Sequence, residues 1–170
     1  NLLDLTPTLR CFKMFPEAHL PEYGTDQAAC FDLKASLQDG DTVTVYSAVN
    51  NKEKRTVENN SLTLYHGERM LVPTGCIFDL ESNTSLRIHP RSGLSLKNGV
   101  VIANCEGIVD ADYVEQTYVM LYNISDSPFK INDADRIAQG EVVSYTRRDI
   151  VETTTRPAQK TDRNGGLGST

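Results

Sequence analysis

Tryptophan is absent, and aromatic residues make up only 7% of the 170 positions. A core must therefore be filled by aliphatic side chains with a few Phe and Tyr. No run of about 18 apolar residues occurs, which excludes a membrane-spanning helix. The opening Asn1-Leu2-Leu3-Asp4-Leu5-Thr6-Pro7 lacks the basic region and long apolar stretch of a signal peptide. Cys11, Cys30, Cys76 and Cys105 form no Cys-x-x-Cys, and His19, His66 and His89 form no close pair. A zinc site needs ligands at close, paired spacings, so four buried or half-buried free thiols in a reducing compartment, the cytoplasm, are expected. An excess of positive charge is missing too. With 17 Lys+Arg against 23 Asp+Glu, the net charge of -6 argues against nucleic acid or a membrane surface as partner. Long amphipathic helices are also lacking.

β-formers are plentiful: Val, Ile and Thr together number 37. Short runs rich in them recur between Gly, Asn, Asp and Pro, the pattern of an all-β domain of one core. Thr42 to Tyr46 alternates, Asn50 to Lys54 reads as a turn, and Thr56-Val57 and Ser61 to Tyr65 read as returning strands. Further strands are expected at Met70–Val72, Cys76–Leu80, Ser85–Ile88, Gly99–Ala103, Thr117–Tyr122, Phe129–Ile131 and Gly140–Tyr145. One short helical turn is expected within Arg91 to Lys97. The cluster Lys52, Lys54, Arg55 reads as a solvated tip. From Ser144 onward there are 5 basic and 3 acidic residues, against 12 and 20 in the remainder. That tail, with its Gly-rich end, has little to bury.

Five pieces carry polar chemistry. Ala28-Ala29-Cys30-Phe31-Asp32-Leu33 is a strand edge with a carboxylate. Pro90-Arg91-Ser92-Gly93-Leu94 offers a cation, a hydroxyl and a free amide to an anion. Asn104 to Tyr113 reads as a hairpin whose amides meet a polar ring edge, with Asp110 a candidate base and Tyr113 a stacking ring. Asp135-Arg136-Ile137-Ala138-Gln139 is a second polar strand edge. Gly165-Gly166-Leu167-Gly168-Ser169-Thr170 can wrap a phosphate with amides and hydroxyls. Taken singly, each is also an ordinary turn, strand edge or flexible end.

Taken together and in this order, the five resemble the five motifs of the homotrimeric dUTPase family, from about Ala28 to Thr170. The resemblance implies a distorted jelly roll, three subunits building three shared sites, and hydrolysis of dUTP to dUMP and pyrophosphate with Mg2+. It implies that Asp110 deprotonates the attacking water and that Asp32 holds Mg2+ through water. Arg91, Ser92, Gly93 and Gln139 fall on the phosphate side. Asn104, Gly107 and Ile108 read uracil, and Tyr113 packs against deoxyribose. Arg163, Leu167, Gly168, Ser169 and Thr170 form a C-terminal lid. Leu167 stands where the family carries a stacking Phe, Cys30 where it carries Gly, and Val114-Glu115 where Arg-Gly is usual. Arg163 lies one residue nearer the end than the family's arm arginine.

The 59 positions from Asp32 to Arg91 are more than the family needs. The organisation implied is a β domain over 1–145, with 42–65 as an added hairpin, and an arm over 146–170. Two other readings remain open. One is a binding or regulatory protein on the same fold with weak catalysis. The other is a dCTP deaminase relative, against which Leu96 and Met120 occupy the places where that enzyme carries an Arg and its catalytic Glu.

Overall fold

A computed structural model describes residues 5–168. Fourteen strands account for nearly all of its regular structure. They are β1 (Arg10–Lys13), β2 (Glu22–Tyr23), β3 (Phe31–Lys34), β4 (Thr42–Tyr46), β5 (Lys52–Thr56), β6 (Ser61–Leu64), β7 (Arg69–Pro73), β8 (Cys76–Asp79), β9 (Thr84–His89), β10 (Val100–Ile102), β11 (Gly107–Val109), β12 (Tyr118–Asn123), β13 (Phe129–Asn132) and β14 (Arg136–Ser144). Two five-stranded antiparallel sheets, ordered β10-β12-β7-β4-β5 and β11-β9-β14-β3-β2, are joined by two-stranded ribbons β1-β8 and β13-β6. The architecture is an all-β jelly roll. Among the described residues, no helix is long and apolar enough to cross a membrane.

Alternation builds the core. In β4 the valines Val43 and Val45 point inward, and in β7 Met70 and Val72 do the same. Val119 and Leu121 of β12, Leu86 and Ile88 of β9, Phe31 and Leu33 of β3 and Ile137 of β14 join them in one cluster. Each fully buried aliphatic side chain contributes about 1.5–3 kcal/mol. Leu86, with no exposed surface, would cost roughly 2–5 kcal/mol on truncation to Ala. Where the edge of β12 meets the turn beyond, Asn123 is buried, and its amide is fully employed. Nδ2 donates to Leu64 O at 2.9 Å and Ser127 O at 2.8 Å, while Oδ1 accepts from Ser125 N–H at 2.9 Å.

Several elements depart from the sequence expectation, among them the expected turn at Asn50 to Lys54, whose last three residues open β5. First, the chain from 42 to 65 divides between two sheets. β4 pairs with β5 from Thr42↔Thr56 to Tyr46↔Lys52 and also with β7, whereas β6 pairs with β13. Leu62 and Leu64 are core residues, and burying them draws β6 away from the β4–β5 ribbon. Second, Arg55 is not part of a solvated tip. Its guanidinium is bidentate to Glu68, at 2.8 and 2.6 Å, donates to Thr63 O at 2.7 Å, also reaches Glu53, and lies 5.5 Å over the Tyr65 ring. Third, Asn104 to Tyr113 is not a simple hairpin. β10 and β12 pair with each other, but β11 between them crosses to the second sheet and pairs with β9. Gly107 makes that crossing feasible, because a Cβ there would stand 3.0 Å from Ile88 Cβ. The helical turn falls at Leu94–Asn98 and ends on Gly99 at φ 63°.

Candidate active site

The polar residues gather into two groups on one chain. The first sits across β3, β14 and β9, where Asp32 pairs with Gln139 and Gln139 with His89. Asp32 is half-buried between two arginines. Its Oδ1 lies 3.3 Å from Arg91 Nε, and its Oδ2 lies 3.6 Å from Arg136 Nη1. Arg91 Nη1 donates to Arg136 O at 3.3 Å, and Gln139 Nε2 donates to Pro90 O at 2.9 Å. These contacts fasten the start of the Arg91-Ser92-Gly93 turn to the sheet. Ser92 and Gly93 stay exposed at its mouth, and a Cβ on Gly93 would meet nothing within 4 Å. The turn thus offers a hydroxyl and an uncrowded backbone beside guanidinium charge. Beside this group, burial and the carboxylates of Glu141 and Asp32 push the Cys30 thiol up, which keeps it neutral.

The second group follows β11. Cys105 takes φ 66° at the turn, and Glu106 N–H donates to Asn104 O at 2.7 Å, leaving Asn104 exposed. Cys105 is exposed as well, unlike the buried or half-buried thiol expected; all four cysteines are free. Val109 points into the core, so its neighbours Ile108 and Asp110 point out. Among the described residues, no hydrogen bond or ion pair engages the Asp110 carboxylate. Tyr113 N–H donates to Asp110 O at 3.1 Å, and Tyr113 hydroxyl donates to Gln116 O at 2.7 Å. Desolvation, with Tyr118 and Glu115 nearby, pushes the Tyr113 phenol up, so it remains a neutral donor. Asp110 and Tyr113 line one groove of about 310 Å³ with Leu71, Ile108, Val109, Thr117 and Tyr118. Asp110 also lines a larger cavity of about 580 Å³ with Arg87, Asp112 and Arg147. Neither space receives Asp32, Arg91, Ser92 or Gln139.

The tail supplies the third predicted set. From Tyr145 to Gly168 no strand or helix forms, and nearly every residue is exposed. Arg163 Nε donates to Gly165 O at 3.0 Å, and Gln159 Nε2 donates to Arg163 O at 3.3 Å, so the arginine is folded onto its own loop. Leu167 is fully exposed at φ 51°, followed by Gly168 at φ 82°. Ser169 and Thr170 lie outside the described residues.

Sequence reasoning gave no role to Arg136, although it stands in the fourth polar piece; opposite Lys34 in the β3–β14 register, it reaches Asp32 diagonally. It also missed a chain of half-buried charges beside the crossing strand. Arg87 Nη1 contacts Glu106 Oε1 at 2.8 Å, and His89 Nε2 contacts Glu141 Oε1 at 2.9 Å. The alternation of Arg87 and His89 with buried Leu86 and Ile88 was the available signal.

The jelly roll thus presents one carboxylate between guanidiniums and another beside an aromatic groove. Comparison with known proteins supplies the assignment. The family model described as dUTPase matches residues 57–170. A deoxyuridine 5'-triphosphate nucleotidohydrolase of Rhizobium rhizogenes is 38% identical over 173 aligned positions, covering 98% of this chain and 96% of that protein. One from Caulobacter vibrioides is 36% identical, covering 89% and 84%. Among solved structures, a Staphylococcus bacteriophage 80alpha dUTPase with dUpNHpp superposes with a TM-score of 0.74 at 16% identity, over 96% of this chain and 98% of that one. A dUTPase from phage phi11 of S. aureus, described with a structural Mg(II) ion, gives 0.69 at 16% identity, over 89% and 100%. The chain belongs to the dUTPase family.

Proposed function

We propose that this chain hydrolyses dUTP to dUMP and pyrophosphate, with Asp110 as the base that deprotonates the attacking water. The observation that carries the reading is the shared groove of Asp110 and Tyr113, in a chain of the dUTPase family. A carboxylate that no described residue engages can take a proton from a positioned water. Attack on the α-phosphorus breaks its bond to the bridging oxygen, and pyrophosphate leaves. Tyr113, held by both its N–H and its hydroxyl, packs against the deoxyribose. Asn104 and the backbone of Gly107 and Ile108 read the uracil edge. Arg91, Ser92, Gly93 and Gln139 receive the phosphates, with Arg136 balancing Asp32.

Mg2+ is the implied cofactor, and the donor set limits how it is held. Both Asp32 oxygens face guanidiniums, and no group of three His, Cys, Asp or Glu side chains among the described residues is gathered as a cage. That set fits contact through water to an ion carried by the triphosphate. Such an ion would supply charge neutralisation at the phosphates, in a protein that is itself acidic.

The division of the polar residues supports a site shared between subunits. The Asp110 groove and the Asp32 group are separate on one chain, and a closed homotrimer would bring one subunit's groove to another's phosphate-side residues. The reading divides the chain into a β domain over 1–145 and an arm over 146–170. The arm's Arg163, Leu167, Gly168, Ser169 and Thr170 close over bound nucleotide. Four unpaired thiols suit the cytoplasm.

Hydrolysis in 18O-labelled water tests the reaction. Label in dUMP and none in pyrophosphate is the expected result. Label in pyrophosphate would move the attack to the β-phosphorus.

A further inference from the structure

The wall of the nucleoside groove is organised by Gln116, a residue that no polar motif contains. Its backbone carbonyl accepts the Tyr113 hydroxyl at 2.7 Å. Its side chain makes two further bonds. Oε1 accepts the Gly75 N–H at 2.8 Å, and Nε2 donates to the Tyr118 hydroxyl at 3.1 Å. Tyr113 and Tyr118 both line the groove. One residue therefore ties two aromatic walls to a single anchor.

The anchor is fixed. Gly75 sits at φ 68° in the tight turn between β7 and β8, where a Cβ would stand 2.8 Å from Ala18 Cβ and 3.1 Å from the Phe15 ring. By contrast, the chain from Ala111 to Gln116 belongs to no strand. Immediately beyond it the backbone is secured again. Thr117 N–H donates to Cys76 O at 2.8 Å, and Thr74 hydroxyl donates to Thr117 O at 2.6 Å. Removing the Gln116 side chain would leave that backbone fastening and the Tyr113 bond to Gln116 O intact, and would release only the Tyr118 wall from its tie to Gly75.

We infer that Gln116 is a specificity-determining positioning residue, whose side chain sets the separation of Tyr113 and Tyr118 and so the width of the slot that admits a 2′-deoxyribose and rejects a ribose. The inference rests on the reading of Tyr113 as the sugar-facing ring. Rejection of a hydroxyl by sterics needs a wall that does not yield, because a ring free to move makes room for the added oxygen.

Pyrophosphate release from dUTP and UTP by wild type, Gln116→Ala, Gln116→Glu and Tyr113→Ala tests it. Gln116→Ala should lower the ratio of kcat/KM for dUTP over UTP by about tenfold, through a higher dUTP KM and a gain of UTP turnover, with kcat for dUTP held within about twofold. Gln116→Glu should recover most of the ratio, since a carboxylate still accepts from Gly75 N–H and from the Tyr118 hydroxyl. If Gln116→Ala keeps the wild-type ratio while Tyr113→Ala loses it, Gln116 has no part in sugar selection. If Tyr113→Ala itself keeps the ratio, the sugar-facing reading of Tyr113 falls, and the role of Gln116 falls with it.

Discussion

The backbone N–H of Tyr113 donates to the backbone carbonyl of Asp110 at 3.1 Å, so the proposed base and the proposed sugar wall belong to one turn. That bond fixes the spacing of the two residues' backbones within the turn. This coupling lets a nucleoside that seats against Tyr113 place its α-phosphate relative to Asp110 without a separate adjustment.

Asp110→Asn should keep the fold and nucleotide binding while lowering kcat by roughly 10²-fold or more, the usual scale for loss of a general base. The side chain is exposed, and no hydrogen bond or ion pair among the described residues engages its carboxylate, so the thermal midpoint should not move. Steady-state kinetics and a thermal melt check both parts. Turnover at the wild-type rate would shift the base to another group, with Asp112 the next candidate on the same turn.

The Arg55–Glu68 pair gives stability a pH dependence. The Arg55 guanidinium holds the Glu68 carboxyl below its ordinary value of 4.5. A depressed folded-state value means that the stabilisation is fully present above the unfolded value. It is lost as pH falls through the folded one. Urea unfolding followed from pH 6 downward should show stability declining below about pH 4.5. In Glu68→Gln that part of the decline should disappear, and stability at neutral pH should drop by roughly 1–3 kcal/mol, because a half-buried guanidinium loses its bidentate partner. An unchanged acid limb in the variant would show that other carboxylates carry it.

Deleting Lys160 to Thr170 should lower turnover strongly while light scattering still gives three times the 18.9 kDa of one chain. The segment's described part, residues 160–168, is almost wholly exposed and contributes almost nothing to the core, so assembly should not need it. Leu167→Phe should hold or lower the KM for dUTP, since a ring over uracil adds about 1 kcal/mol that an aliphatic side chain does not supply. A deletion variant with full activity would reduce the arm to a tail. A monomeric mass in an active sample would refute the shared site.

The inward-facing strands were legible because burial on one face imposes a period of two. Val43 and Val45, or Met70 and Val72, announce their strands without help. β1 and β2 were not legible, because Arg10–Lys13 and Glu22–Tyr23 are almost wholly exposed and carry no alternation. Arg55 read as solvated because its partner Glu68 lies thirteen residues away, across a strand pairing that charge patterning does not reveal. The polar motifs disclosed most candidate side chains, yet not their partition into two groups, which depends on β11 crossing between sheets. Gln116 left no mark at all. Its importance comes from a bond to the N–H of Gly75, forty-one residues earlier, and that bond exists only once β7, β8 and β12 are assembled.

Initial rates of pyrophosphate release from dUTP, dTTP, dCTP and UTP, each with and without Mg2+, test the central claim most directly. The account predicts that dUTP is cleaved in strong preference to the other three and that Mg2+ raises the rate. Equal turnover of dUTP and dCTP would contradict it, since a groove that reads the uracil edge cannot treat the two bases alike.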